Sequence, residues 1–240
     1  KNLDGIDVRV AFCFPDVYEI GMSNLGMMLL YNMFNKRPDV WCERVYSPWL
    51  DLDKLMREQN IPLFALESQD PVRDFDFLCI TLGYEMCYTN VLQTLDLSQI
   101  PLKAADRDES CPIVIGGGAC AYNPEPLAAF FDLFYIGEGE TVYDALFDAY
   151  KANKKAGGSR KDFLLAAAKI PGIYVPSLYE VTYKEDGTIE SFQPKYENVP
   201  EKVEKQLVID MDKDYNKLEA PVVPHIKATQ DRVTLEIQRG

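Results

Sequence analysis

Four short, almost unbroken apolar runs, each stopped by a glycine or proline turn, constrain this chain more than anything else in it. Val8–Phe14 runs into Pro15, residues 76–82 into Gly83, residues 112–115 into Gly116-Gly117-Gly118, and residues 132–136 into Gly137-Glu138-Gly139-Glu140. A strand with one wet face alternates apolar and polar residues. Continuous runs instead predict strands covered on both faces, as in a parallel sheet. Helix-length stretches separate them. Ser23 is placed to cap a helix over 25–34, and helices follow over 52–59, Tyr88–Leu97 and 141–151. Val40–Tyr46 reads as a further strand and 61–66 as a small extra one. Strands alternating with helices predict a doubly wound α/β sheet with right-handed crossovers. With 240 residues, 47% of them hydrophobic, the chain can bury the core of one large domain or of a domain with an appendage.

The character changes after Gly157-Gly158-Ser159. A helix is expected over 161–169. Two β-rich runs, Tyr179–Tyr183 and 188–193, flank Glu185-Asp186-Gly187, and Asp-Gly between such runs is a hairpin signal. Residues 194–224 are polar, hold four prolines, and read as an extended connector. A last strand is expected over 232–237. The division expected is 1–157 for the α/β domain, 158–231 for helix, hairpin and connector, and 232–240 for the start of a further domain. The absence of an initiating Met and a final strand with no element after it suggest a piece of a larger protein.

Charge and composition exclude several classes. Lys plus Arg number 25 against 38 Asp plus Glu, a net charge of −13, which disfavours binding to a phosphate backbone. The basic patch Lys151, Lys154, Lys155, Arg160 and Lys161 reads as a solvated helix end. No apolar run approaches the roughly 18 residues of a membrane span, and the N-terminus has no signal-peptide pattern. The six cysteines form no C-x-x-C pair; Cys13 and Cys79 sit inside strand-like runs, where Cys behaves as a small hydrophobe. Reduced thiols and a cytoplasmic location are expected.

In an open parallel sheet, ligands bind beyond the carboxyl ends of the strands, near the switch in strand order. The segments from 15–21, 81–85, 116–121 and 137–140 would meet there. A dinucleotide loop needs G-x-G-x-x-G after the first strand, where this chain has Pro15-Asp16-Val17-Tyr18. The hydroxyl residues of a flavodoxin phosphate loop are missing at the same place. A receiver's phosphoacceptor Asp is replaced by Thr81.

A family resemblance enters at these residues. Asp16-Val17-Tyr18-Glu19-Ile20-Gly21 resembles the Asp-x-His-x-x-Gly motif of cobalamin-binding domains, with Tyr18 in place of the His. Thr81-Leu82-Gly83 falls where that family has Ser-x-Leu, and Gly116-Gly117 where it has Gly-Gly; 59 residues separate Gly21 from Thr81, more than is usual there. Ile115 to Gly118, Asn123-Pro124-Glu125 and Ile136 to Glu140 are similar to the cobalamin-binding-like domains placed ahead of radical S-adenosylmethionine (SAM) barrels. Residues 233–240 resemble the first barrel strand, after which the three-cysteine cluster motif would begin.

The resemblance implies a flavodoxin-like, cobalamin-binding-like parallel sheet with a C-terminal β-hairpin and extended connector. It implies cobalamin as a cofactor, held by Asp16, Tyr18, Glu19, Gly21, Thr81, Gly83, Tyr84, Gly116, Gly117, Gly118, Gly137, Glu138 and Gly139, the tail threading between sheet and helices. A phenol with pKa about 10 is a poor neutral cobalt ligand, so the corrin would lack a lower protein ligand. His225, beside Pro224, reads as a linker residue. A 4Fe–4S cluster and S-adenosylmethionine would belong to the portion beyond residue 240.

Other readings of the same residues stay open. Asp16 and Glu19 could cap the helix that follows them. Glu138 and Glu140 could cap a helix from Thr141. The glycines could mark close backbone approach, and Tyr84, Tyr88 and Tyr122 could simply pack. No nucleophile–base set stands out. Two functions follow: a cofactor or substrate module of a radical SAM enzyme, or a cofactor-free scaffold or substrate-recognition domain packed on its own barrel. A methyltransferase would be one outcome for the complete protein, whose substrate the sequence does not give.

Overall fold

The computed structural model describes residues 3–210 together with Val222, Val223, Thr229 and Glu236. The strand expected over 232–237, His225 and the later part of the connector lie outside the described residues.

β1 (Val8–Phe14) is buried at every position except Arg9. After it come a single turn, α1 (Tyr18–Gly21), and then α2 (Leu25–Lys36). The cap of α2 is Asn24, whose Oδ1 accepts the Met27 N–H at 2.9 Å. Ser23, the expected cap, instead donates its hydroxyl to the Glu19 carbonyl at 3.0 Å. β2 (Val40–Tyr46) and α3 (Leu50–Gln59) follow, α3 ending on Asn60 in the left-handed region. Residues 61–66 form no strand; only an isolated bridge joins Phe64 to Pro71, because the Leu63 N–H goes to the Leu97 carbonyl. β3 (Phe77–Thr81), α4 (Tyr88–Leu97), β4 (Ile113–Gly117) and β5 (Leu133–Tyr135) complete the parallel part. α5 (Tyr143–Lys155) and α6 (Arg160–Ala167) come next, α6 opened by a reciprocal Ser159–Asp162 capping box.

Two residues, β6 (Ile173–Tyr174), then pair antiparallel with β5. The sequence reading had no strand here. The reversal turns on Gly172 at φ +82, where a Cβ would lie 2.8 Å from the Tyr135 ring. β7 (Tyr179–Tyr183) and β8 (Ile189–Pro194) form the expected hairpin as a separate two-stranded sheet.

The main sheet runs β2-β1-β3-β4-β5-β6. Its parallel part has the 2-1-3-4-5 order of flavodoxin-like folds, so the chain is a doubly wound α/β protein with a C-terminal hairpin. One face is cemented by aromatic rings: Phe12 against Phe34, Phe34 against Phe147, and Phe77 against Phe147 and Phe163, at 5.3–6.0 Å. These rings tie α2, α5 and α6 to the sheet. α3 and α4 take the other face, linked by the Arg57–Asp96 ion pair. Cys13 and Cys79 are buried in the strands as expected, and burial pushes the Cys13 thiol up to about 12.

Two polar devices hold the frame. Asp132, just before β5, accepts Arg107 Nη1 at 2.9 Å, Arg160 Nη2 at 2.8 Å and the Val114 N–H at 2.7 Å. It thereby joins β4, the loop at 107 and the start of α6. Along the open flank of β2, the Asn35 side-chain amide pairs with both the N–H and the carbonyl of Cys42 at 3.1 and 2.9 Å. One residue pair on, the Arg44 N–H goes to Glu67 Oε2 and its carbonyl takes the Leu66 N–H, at 2.8 and 2.9 Å.

Candidate functional site

The switch in strand order lies between β1 and β3, because β1 is followed in space by β2 on one side and β3 on the other. The loops leaving these strands and β4 meet there. The Tyr84 hydroxyl donates to Asp16 Oδ2 at 3.0 Å, and Asp16 Oδ1 accepts the Val17 N–H at 2.7 Å. That carboxylate holds Tyr84's phenol proton more firmly than usual. Asn90, on α4, donates its side-chain amide to the Pro15 carbonyl at 2.9 Å. Thr81 pairs with Gly117, and the Leu82 N–H reaches the Gly117 carbonyl at 2.6 Å. Gly118, at φ +105, brings its backbone against Leu82, whose carbonyl oxygen would lie 2.8 Å from an added Cβ. Asp16, Thr81, Tyr84, Gly117 and Gly118 are therefore brought to one edge, as the sequence led us to expect.

Other expected residues do different work. Gly21 is buried, and a Cβ there would sit 2.3 Å from the Tyr46 ring. Tyr18 also packs edge-on against Tyr46 at 5.2 Å, so it faces the core of this corner. Glu19 is exposed. Neither Asp16 nor Glu19 is the cap residue of α1, which is Val17 without a side-chain hydrogen bond, but Glu19 stands in the helix's first turn and Asp16 accepts the Val17 N–H at its start. Gly83 is exposed with nothing within 4 Å of an added Cβ, so no close approach requires a glycine there.

The turn after β5 faces α2, where Glu138, Gly139 and Glu140 line a recess of about 270 Å³ with Leu25, Gly26, Leu29 and Leu30. Gly137, at φ +141, lies under the connector: Gln206 N–H reaches the Ile136 carbonyl at 3.1 Å and the Glu138 N–H reaches the Gln206 carbonyl at 3.0 Å. Glu138 Oε2 accepts the Val208 N–H at 2.6 Å. Gly139 lies against Leu30, 3.0 Å from a Cβ built on it. Helix capping by Glu138 and Glu140 gives way. α5 begins at Tyr143 after an intervening tight turn, and no side chain caps it.

A threaded cofactor tail needs space beside the paired glycines of β4. Gly116 has the Phe134 ring 2.7 Å and the Leu82 side chain 3.1 Å from an added Cβ. On the opposite face, Gly117 looks onto the Tyr143 hydroxyl at 3.8 Å. Phe134, Leu82 and Tyr143 are all buried. Side chains thus fill the Gly116 flank and leave no room there for a corrin tail, whereas half-buried Gly117 keeps an ordinary contact distance from Tyr143. Phe134 and Tyr143 were missed by the sequence reading. A glycine in one strand opposite an aromatic in its neighbour was the available sign.

What this edge offers is apolar surface. Ile20, Trp49, Leu50, Tyr84, Met86 and Tyr122 are exposed, Met86 at 83% and Trp49 at 66%. All lie on connections leaving the carboxyl ends of β1 to β4.

Fold and edge together define an α/β module that presents a surface at the switch of a flavodoxin-like sheet. Residues 26–176 match the family described as "Radical SAM proteins, N-terminal", and the chain belongs to that family. It is 29% identical over 133 residues to the uncharacterised protein MJ0966 of Methanocaldococcus jannaschii, a match covering 55% of this chain and 24% of that protein. The chain thus spans about a quarter of that relative's length. Among solved structures it is similar to the radical S-adenosylmethionine methyltransferase TsrM from Kitasatospora setae, described with tryptophan substrate and a SAM analogue bound. The likeness has 12% identity and a TM-score of 0.41, over 75% of this chain and 29% of that one. The fold assignment rests on the strand order, not on that likeness. No helix among the described residues is long and apolar enough to cross a membrane.

Proposed function

We propose that this chain serves a radical SAM enzyme as a docking scaffold, its carboxyl sheet edge packed on the enzyme's own barrel, with no corrin tail held between sheet and helices. The observation that carries this reading is the filling of the space beside Gly116 by Phe134 and Leu82. Cobalamin binding through the thirteen residues named above needs that space. The large apolar side chains exposed on the connections from Ile20 to Tyr122 support the docking role, since exposed apolar surface beyond isolated residues marks interaction sites. The chemistry itself, with its cluster and S-adenosylmethionine, then belongs to the barrel.

The test is to incubate the purified chain with excess hydroxocobalamin, desalt, and record visible and far-ultraviolet spectra. The expected result is a folded chain without corrin absorbance. Stoichiometric retention of corrin would overturn the scaffold reading and restore Asp16, Thr81 and Gly117 as tail contacts. In the full-length protein, Met86→Glu should speed proteolysis between module and barrel; unchanged proteolysis would count against docking at this edge.

A further inference from the structure

Beyond the docking edge, a second recess lies on the far side of β5. A cleft of about 260 Å³ opens between the loop after β4, the hairpin and the connector. Its floor and walls are aromatic: Tyr174, Tyr179 and Phe192 stack at 5.1–6.3 Å, and Tyr122 stands opposite, half exposed. Its charged groups among the described residues are two carboxylates, Glu125 and Glu201, and no described Lys or Arg lines it. The buried Tyr174 donates its hydroxyl to Glu125 Oε1 at 2.5 Å, which fixes that carboxylate against the aromatic floor. Tyr179 spends its own hydroxyl on the Pro200 carbonyl at 2.7 Å, so its ring edge is anchored.

The chemistry of this lining selects by sign. An anion would meet two carboxylates and the negative faces of the rings. A neutral apolar group would cover carboxylates without pairing them, at the cost of their hydration. A cation gains from both, since ring faces attract ammonium groups and the carboxylates supply the countercharge. The chain already uses one of these rings so: Lys205 Nζ sits 5.0 Å above Tyr122 and does not line the cleft. The volume falls just below the ~300–1,000 Å³ of drug-sized ligand sites, so it suits a head group. We infer that this cleft is a binding site for a small organic cation of the alkylammonium class.

The experiment titrates the purified chain at low salt with choline and, separately, with 3,3-dimethylbutan-1-ol, its uncharged isostere, following Tyr and Phe ring resonances by NMR. Choline should bind saturably and at least about tenfold more tightly than the alcohol, the ratio that ~1.4 kcal/mol gives. Glu125→Gln and Tyr122→Leu, both at exposed positions, should each weaken choline binding about three- to tenfold with an unchanged melting temperature. Equal binding of the alcohol, no saturable binding of choline, or unchanged affinity in both variants would overturn the assignment. The result is separable from the corrin titration: choline reports on the aromatic cleft beside Tyr122, and corrin on the space beside Gly116.

Discussion

The carboxylate of Asp132 is the position where one uncharged substitution should cost the frame most. Its side chain is 2% exposed and meets two guanidinium groups, Arg107 at 0% and Arg160 at 10%. Arg107 spends its other donors on the carbonyls of Pro101, Leu102 and Phe130 at 2.7–2.9 Å, so it cannot swing out to water. Burial pulls its guanidinium pKa down, and the neighbouring Asp132 is what opposes that pull. Asp132→Asn keeps the shape but leaves two buried cations facing a neutral amide. All three donors converge on Oδ2, so the amide oxygen can take their place as acceptor and what is lost is the charge that neutralises the two guanidinium groups. Removing one partner of a buried pair costs about 3–5 kcal/mol. For a chain of this size each kcal/mol moves the melting temperature by ~2–4 °C, so a drop of roughly 6–20 °C is expected by calorimetry or circular dichroism. Arg160→Ala should cost less, because Arg107 keeps the carboxylate paired. A loss below about 1 kcal/mol for Asp132→Asn, or a larger loss for Arg160→Ala, would refute the reasoning.

Two further outcomes follow from particular contacts. Gly118→Ala, with φ +105 and a backbone oxygen 2.8 Å from the new methyl, should destabilise by about 1–3 kcal/mol in urea titrations. The neighbouring Gly83→Ala, with open space around it, should stay within ~0.5 kcal/mol of the parent. Asp39 is hydrogen-bonded by Arg37 at 2.8 and 3.0 Å and by Lys151, which hold its carboxyl well below the usual range. A depressed folded pKa means stability that is complete above the unfolded value near ~4 and lost as pH falls toward the folded one. The melting temperature should therefore fall on acidification below about pH 4, and Asp39→Asn should flatten that limb; equal slopes in parent and variant would count against it.

The strands were legible because burial on both faces writes an unbroken apolar run. Val8–Phe14 and Val40–Tyr46 were read to the residue, and the hairpin followed from Asp186-Gly187. β6 was not legible, since two residues carry no period; it exists because the turn at Gly172 returns the chain to β5. The meeting of Asp16, Thr81 and Gly117 followed from topology, as Thr81 and Gly117 end parallel strands and Asp16 follows another by two residues. What fills the space beside the glycines did not, because Phe134 and Tyr143 reach Gly116 and Gly117 from other elements. The burial of Gly137 under Gln206 depended on a connector whose path no local pattern specifies.

The side-chain hydrogen bonds that Asn35 and Glu67 make along β2 settle how this protein can be assembled with others. With the outward amides and carbonyls of Cys42 and Arg44 already engaged, a foreign strand finds no ladder to extend on that flank. Fibre growth and strand-exchanged pairs are thereby disfavoured on the β2 side.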